Sequence, residues 1–242
     1  MKLAAIWNVW DGSELLKYSI KSIKADVYII VYQTVSNWGE HYDPYMDVLD
    51  AIQGVNSLLV LYTPTDKSGF SNETAKRNLG IQYAKDMDCT HFMHVDTDEM
   101  YLDFDNAKQQ YINSGCEGSV CKIFTYFKFP TLRLETEDGY FVPFIHKLNS
   151  DTISGVKEYP YYVDPTRRIN CNNVALLDVH MHHYSYIRKD ITRKVNNSSA
   201  RANIARGTII QDYNNPNVAP GFYVKDFEKK LIEVPNYFNI FV

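Results

Sequence analysis

The chain lacks any run approaching the roughly 20 consecutive apolar residues that a membrane-spanning helix needs. That argues against a helical membrane span. The opening segment reaches Asp11 after a short apolar run, too little for the apolar core of a signal peptide. Cysteine is scarce: Cys89, Cys116, Cys121 and Cys171 form no CxxC pair. No histidine stands at zinc-knuckle spacing from Cys116 or Cys121, so neither a disulfide scaffold nor a zinc finger is expected. Reduced thiols in a cytoplasmic protein are the default. An excess of basic charge is also missing. Lys and Arg total 25 against 29 Asp and Glu, for a net charge of -4, so no broad nucleic-acid surface is expected. There is no internal repeat and no low-complexity linker. The Asn-x-Ser/Thr triplets at Asn72, Asn196 and Asn197 carry little weight without a secretory signal.

What is present suits one large α/β domain. The chain has 242 residues, 45% of them hydrophobic, enough to bury a core. Its 19 tyrosines fit half-buried core positions more readily than sugar- or base-stacking platforms. Leu3 to Val9 reads as a buried strand. Asp11-Gly12-Ser13 offers a turn and cap, and Leu15, Leu16, Ile20 and Ile23 give helical spacing over Glu14 to Lys24. Val27 to Val35 reads as a second strand, and Tyr45 to Gln53 as a helix stopped by Gly54. Ser57 to Tyr62 is a third strand, Asn72 to Lys85 a helix capped by Ser71 or Asn72, and Thr90 to Val95 a fourth strand. This alternation predicts a mostly parallel sheet with helices on both faces. The second half is less regular. Strands are expected at Val120 to Phe129, Tyr140 to Leu148 and Val174 to Tyr186, with a charged helix over Arg188 to Ala205. A tail rich in Asn and Pro after Gly207 should wrap the surface. Residues 1–190 form the expected domain, and 191–242 a C-terminal helix and tail packed on it.

The fourth strand runs into His94-Val95-Asp96-Thr97-Asp98-Glu99. On extended backbone, residues two apart share a face. Asp96 and Asp98 would then lie about 6–7 Å apart and approach one hard cation, directly or through water. A solvated acidic turn is the bland alternative. The position favours function, because ligands of open α/β sheets bind beyond the carboxyl ends of the strands.

A second unusual stretch is Asp178 to Tyr186, where His180, His182 and His183 fall within four residues. Imidazole completes a cation's shell. His183 is the first choice of ligand and His182 the second, with the remainder acting through the ligands. Arg188 and Lys189 either clamp phosphate oxygens or begin a solvated helix. Asp164-Pro165-Thr166-Arg167-Arg168 divides evenly too, between an anion grip and a helix start capped by Asp164.

These residues, in this order, resemble the GT-A-fold glycosyltransferases, in the branch similar to family 2 enzymes and to versions carried by bacteriophages and bacteria. The resemblance covers about residues 1–190. It rests on Trp7-Asn8-Val9-Trp10-Asp11, on Asn72-Glu73-Thr74-Ala75-Lys76-Arg77-Asn78, on Asp96-Thr97-Asp98 and on His183-Tyr184-Ser185-Tyr186-Ile187-Arg188. It implies a Rossmann-like α/β fold with a C-terminal helical extension, and a nucleotide-diphosphate sugar as donor, a UDP-sugar first. Asn8 and Trp10 would contact the nucleotide, Gln33 would edge the base, and Arg77 or Asn78 would approach the ribose or diphosphate. Asp96 would sit at both nucleotide and metal. Asp96, Asp98 and His183, with His182 in reserve, would hold Mn²⁺ or Mg²⁺. The acceptor would be a hydroxyl of a glycan, a protein or modified DNA, in the cytoplasm (the host's, for a phage protein). Many relatives read uracil with an acid after the second strand, where this chain has Gln33. The Glu-Asp pair that often marks their catalytic base has no clean equivalent, which leaves Asp178, Glu135 and Asp138 as candidates.

Two other enzyme classes and one non-enzyme compete. A nucleotidyltransferase uses a similar layout but usually needs a Gly-rich, basic loop after the first strand, and Asn8-Val9-Trp10-Asp11-Gly12 offers none. A phosphatase with a DxD nucleophile normally places it after the first strand, not the fourth. A non-catalytic glycan-binding or structural copy would have little reason to keep both aspartates and a histidine.

Overall fold

A computed structural model describes residues 1–65, 68–198 and 206–241. The elements in chain order are β1 (Leu3–Val9), α1 (Ser13–Lys21), β2 (Val27–Tyr32), α2 (Tyr45–Ala51), β3 (Ser57–Leu61), α3 (Gly69–Asp86), β4 (His91–Asp96) and β5 (Glu99–Met100). They continue with α4 (Phe104–Ser114), β6 (Gly118–Phe127), β7 (Leu132–Leu134), β8 (Val142–Lys147), β9 (Val174–Tyr186), α5 (Ile191–Asn197), α6 (Arg206–Asn214), β10 (Tyr223–Val224) and β11 (Lys229–Glu233). A short 3-10 turn spans Pro165–Arg167.

The first half is the parallel sheet that the alternation predicts, in the order β3-β2-β1-β4. Side chains alternate across it. Leu3, Ala5, Trp7 and Val9 pack with Leu16 and Ile20 of α1, Val48 of α2 and Phe104 of α4. Ala4 and Ile6 face Ile81 and Ala84 of α3. Helices therefore cover both faces, and each of the larger apolar side chains (Leu, Ile, Val, Phe) contributes roughly 1.5–3 kcal/mol by leaving water. α3 lies close to the sheet because Gly80 has no side chain; a Cβ there would stand 2.3 Å from Ile6 Cγ2.

The second half is mixed. β8 runs antiparallel to β4, β6 antiparallel to β8, and β9 parallel to β6. β5 pairs with β9 in antiparallel fashion and β11 with β7. The tail does more than wrap the surface: β10 and β11 extend the sheet, and Ile240 is buried against Leu15, Tyr126 and Tyr184. The helix expected over Arg188 to Ala205 starts later, at Ile191, with Asp190 capping through Arg193 N; residues 199–205 lie outside the described residues. α3 also starts earlier than expected, at Gly69, capped by Ser68. α4 escaped the sequence reading, although Asp103 caps it, Phe104, Ala107 and Tyr111 form its buried face and Gly115 closes it in a left-handed conformation. Among the described residues, no helix is long and apolar enough to cross a membrane, and all four cysteines are free.

Candidate active site

The cleft forms where one face of the parallel sheet changes from apolar to polar. Along β1 the residues facing α3 are Ala4, Ile6 and then Asn8. Along β2 they are Ile29, Val31 and, just past the strand, Gln33; along β4, Phe92, His94 and Asp96. α3 follows the same gradient from Ala84 and Ile81 to Arg77 and Glu73. The polar ends line one cleft with Trp10, Asp11, Asp98, Arg188 and Lys194. Parallel pairing brings residues far apart in sequence to this single edge, as expected for strand carboxyl ends.

Charges in the cleft are tightly matched. Asp96 is ion-paired with Arg167 Nη2 at 2.6 Å and accepts from Arg77 Nη2 at 3.2 Å. Burial opposes its ionisation, but these two guanidiniums hold it well below the usual carboxylate range. Asp98 accepts from Arg188 Nη2 at 2.5 Å and lies 3.5 Å from Lys194 Nζ. Burial opposes ionisation here as well, and Lys194, Arg188 and His183 outweigh it. Glu99 is buried and bound to Arg167 Nη2 at 2.7 Å. Burial, with Asp96 and Asp98 nearby, pushes it up to about 7 against the pull of Arg167.

The two aspartates do not share a strand face as the extended spacing predicts. β4 ends at Asp96, and Thr97 and Asp98 form a turn into β5, so the period of two stops there. Both still reach the cleft. The β5–β9 pairing then sets Glu99 opposite His183, and Tyr184 N donates to Asp98 O at 2.8 Å. This delivers His183 Nε2 to 3.7 Å from Asp98 Oδ1.

Gly12 completes this corner. Its φ is +73°, and a Cβ would meet the Arg188 guanidinium at 2.5 Å. Glycine is thus required twice over, by backbone conformation and by the arginine against it. Arg188 also lies 3.6 Å from Asp11, which receives Arg193 Nε at 3.1 Å.

Several buried polar atoms around the cleft have no hydrogen-bond partner: both side-chain atoms of Asn8, Trp10 Nε1, Gln33 Oε1, Arg77 Nη1, Asp98 Oδ1, and Arg188 Nε and Nη1. Buried polar groups in folded proteins are nearly always paired. Their concentration at one cleft marks a place built for a polar ligand.

The other expected site residues fall elsewhere or play a different part. His182 points away from the carboxylates; its Nδ1 meets Tyr126 OH at 2.7 Å, and Tyr237 and Phe238 pack edge-on against the ring. Burial lowers it to about 4. Adjacent residues on a strand face opposite sides, so only one of the pair can join Asp98. Asn78 is absent from the cleft lining and hydrogen-bonds both backbone groups of Ser154. Lys189 is exposed, and Arg168 donates to Lys157 O. Asp178 and Glu135 are exposed, bound to Gln110 and Lys230 through backbone contacts, and line none of the described cavities. Asp138 accepts from Thr125 Oγ1 at 2.6 Å and lies within electrostatic reach of His183. A smaller cavity of about 70 Å³ adjoins the cleft, and Asp96 and Asp164 line both. Glu99, Arg167 and His183 line the smaller one. Asp164 also caps the 3-10 turn through Thr166 N, so the expected cap and a cleft position coincide.

Glu73, Lys76, Asn37 and Lys194 had no individual role in the sequence reading. The first two were legible, since Glu73, Lys76 and Arg77 stand at i, i+3 and i+4 on one helical face. Asn37 and Lys194 carry no such signal.

The implied divalent cation can be tested against these donors. Asp98 Oδ1 is buried, unpartnered and faces His183, whose buried ring is held towards its neutral form. Those two groups fit an oxygen and an imidazole ligand. Asp96 is occupied by two guanidiniums instead. No cluster of three or more His, Cys, Asp or Glu arranged for a metal occurs among the described residues, so further donors must come from a ligand or water.

No protein-family profile and no curated protein matches the chain. Among solved structures, residues 1–349 of Staphylococcus aureus TarS align at 11% identity over 93% of this chain and 75% of that one, with a TM-score of 0.49. Its complex with UDP-GlcNAc aligns at 11% identity over 89% and 72%, with a TM-score of 0.45. The mannose-1-phosphate geranyltransferase of Thermus thermophilus aligns at 12% identity over 62% of this chain and about half of that one (51%), with a TM-score of 0.34. The architecture given above stands on this chain's own strand order and register.

Proposed function

We propose that the chain is a metal-dependent glycosyltransferase that moves a sugar from a nucleoside-diphosphate donor to a hydroxyl acceptor. One observation carries the reading. Amide, indole and guanidinium atoms without a hydrogen-bond partner, on Asn8, Gln33, Trp10, Arg77 and Arg188, belong to residues that line the same cleft at the carboxyl ends of parallel strands. The amides suit a nucleoside, and the guanidiniums suit phosphate oxygens.

Asp98 and His183 would hold Mn²⁺ or Mg²⁺, which when bound neutralises the diphosphate leaving group. Arg188 anchors Asp98 and lines the cleft, with Nε and Nη1 not engaged in hydrogen bonds. Asp96 keeps Arg77 and Arg167 in place. In an inverting transfer a carboxylate takes the acceptor's proton as the new glycosidic bond forms and the sugar–phosphate bond breaks. Asp164 and Glu99, beside the adjoining cavity, are better placed for this than Asp178 or Glu135.

The test incubates the protein with Mn²⁺ or Mg²⁺ and a panel of nucleotide sugars, and measures released nucleotide. Slow donor hydrolysis is expected without acceptor. If no nucleotide sugar is bound or cleaved, with or without metal, the reading fails. Pyrophosphate released from a nucleoside triphosphate and a sugar phosphate would establish the nucleotidyltransferase alternative instead.

A further inference from the structure

The floor of the cleft contains a hydrogen-bond chain that the transfer reaction itself does not require. Glu73 Oε2 accepts from Asn37 Nδ2 at 2.9 Å. Asn37 Oδ1 accepts from Gln33 Nε2 at 3.2 Å. Gln33 is buried, and its Oε1 is left without a partner on the wall of the cleft.

The direction of this chain is set at its charged end. Lys76 Nζ lies 3.4 Å from Glu73, and Arg77 Nη2 forms an ion pair with it at 3.0 Å. Burial opposes ionisation of Glu73, but the two cations reverse that and hold it below its usual range. A carboxylate only accepts. Asn37 must therefore turn its NH₂ to Glu73 and its oxygen to Gln33. Gln33 must then turn its NH₂ to Asn37 and its oxygen to the cleft. Reversing either amide would oppose like atoms in a buried site, at a cost comparable to a lost hydrogen bond.

Resting on the nucleotide-donor reading, we infer that the Glu73–Asn37–Gln33 chain selects the base of the donor, by presenting a fixed buried acceptor that demands a ring N–H. Uracil N3–H and guanine N1–H meet that demand, whereas the corresponding ring nitrogen of cytosine or adenine is itself an acceptor. Asn8, one strand away and unpartnered at both Oδ1 and Nδ2, supplies a donor for the carbonyl beside that N–H. Asn37 and Glu73 are positioning residues that act through Gln33.

The experiment measures Kd by calorimetry for UDP, GDP, CDP and ADP on the full chain and three variants. For the unmodified chain, UDP or GDP should bind roughly ten- to a hundredfold tighter than CDP and ADP, the effect of one unpaired buried acceptor. UDP against GDP identifies which base carries the N–H. Asn37→Leu frees Gln33 to turn its NH₂ to the cleft, so the preference should shrink severalfold while diphosphate binding persists. Gln33→Glu alone sets a carboxylate against Asn37 Oδ1, so it should weaken binding of all four nucleotides without reversing the preference. The double variant Asn37→Leu/Gln33→Glu should restore it, a rescue that a merely structural role for Asn37 does not predict. Equal affinities in the unmodified chain would overturn the inference but leave the donor reading standing. So would a preference unchanged in Asn37→Leu, or one not restored in the double variant. Absence of binding by every nucleoside diphosphate would overturn both.

Discussion

His182 and His183 are neighbours on β9, yet they enter two different kinds of interior. The His182 side is an aromatic layer of Tyr126, Tyr184, Phe238 and Tyr237. Its histidine is hydrogen-bonded to Tyr126, and within the core group around Tyr126 and Tyr184 only the Tyr184 hydroxyl is unpartnered. The His183 side opens on Asp98, the two cavities and a concentration of unpartnered polar atoms. Burial alone does not mark a site, since both histidines are largely buried. A concentration of incomplete pairing around a cleft does, because buried polar atoms are seldom left unpaired in folded proteins.

The largest effect that tests this contrast is expected at Arg188, which is 1% exposed and paired with a 2% exposed Asp98. Arg188→Met should destabilise the fold by about 3–5 kcal/mol in urea unfolding, because it strands a buried carboxylate. A loss below about 1 kcal/mol would mean that water or Lys194 already supports Asp98 in full. Next come the histidines themselves. His183→Ala should lower Mn²⁺-dependent release of nucleotide by about a hundredfold, while His182→Phe should change it by less than about threefold. Equal losses would dissolve the distinction between the two faces.

Gly12→Ala should cost about 1–2 kcal/mol through its left-handed backbone, with a further loss as the new methyl displaces Arg188. It should also weaken nucleotide binding; a purely conformational effect would leave binding unchanged. The smallest effect per pH unit belongs to the ordinary core. Burial lowers His146 from 6.5 to about 3, with Nε2 against Tyr159 OH at 2.7 Å. Between pH 6.5 and 3 the unfolded state binds a proton that the folded state does not. His146 should therefore subtract up to about 1.4 kcal/mol of stability for each unit the pH falls within that window. His146→Gln should flatten this part of the stability profile. An unchanged slope would place the acid sensitivity elsewhere.

The parallel half of the fold was legible because its signals are local. β1, β2, β3 and β4 are short apolar runs, α1 carries helical spacing, and α3 begins near an expected cap, although Ser68 supplies it instead of Ser71 or Asn72. The fourth run also marked the cleft through Asp96 at its end, whereas Asn8 and Gln33 entered only through the family resemblance. The mixed half was harder. β5 has two residues and β7 three, too few for any period to show, and β10 and β11 lie in a segment that resembles a loop in composition. The catalytic candidates Asp178 and Glu135 were misplaced for a related reason. Nothing in a sequence distinguishes a carboxylate at a sheet's far end from one beside a cavity.

By itself, the sequence determined which residues alternate along the apolar strands and where the first helices fall, because those depend on neighbours a few positions away. It also supplied both aspartates, the histidine run and the arginines. Only the tertiary structure decided that His183 and not His182 meets Asp98, since this depends on the register of β5 against β9. It likewise decided that Asp96 is held by Arg77 and Arg167, and that Gln33 shows the cleft an oxygen. Those choices follow from groups brought together from well apart in the chain, 19 residues for Arg77 and Asp96 and 36 for Asn37 and Glu73, over which local sequence carries no record of contact.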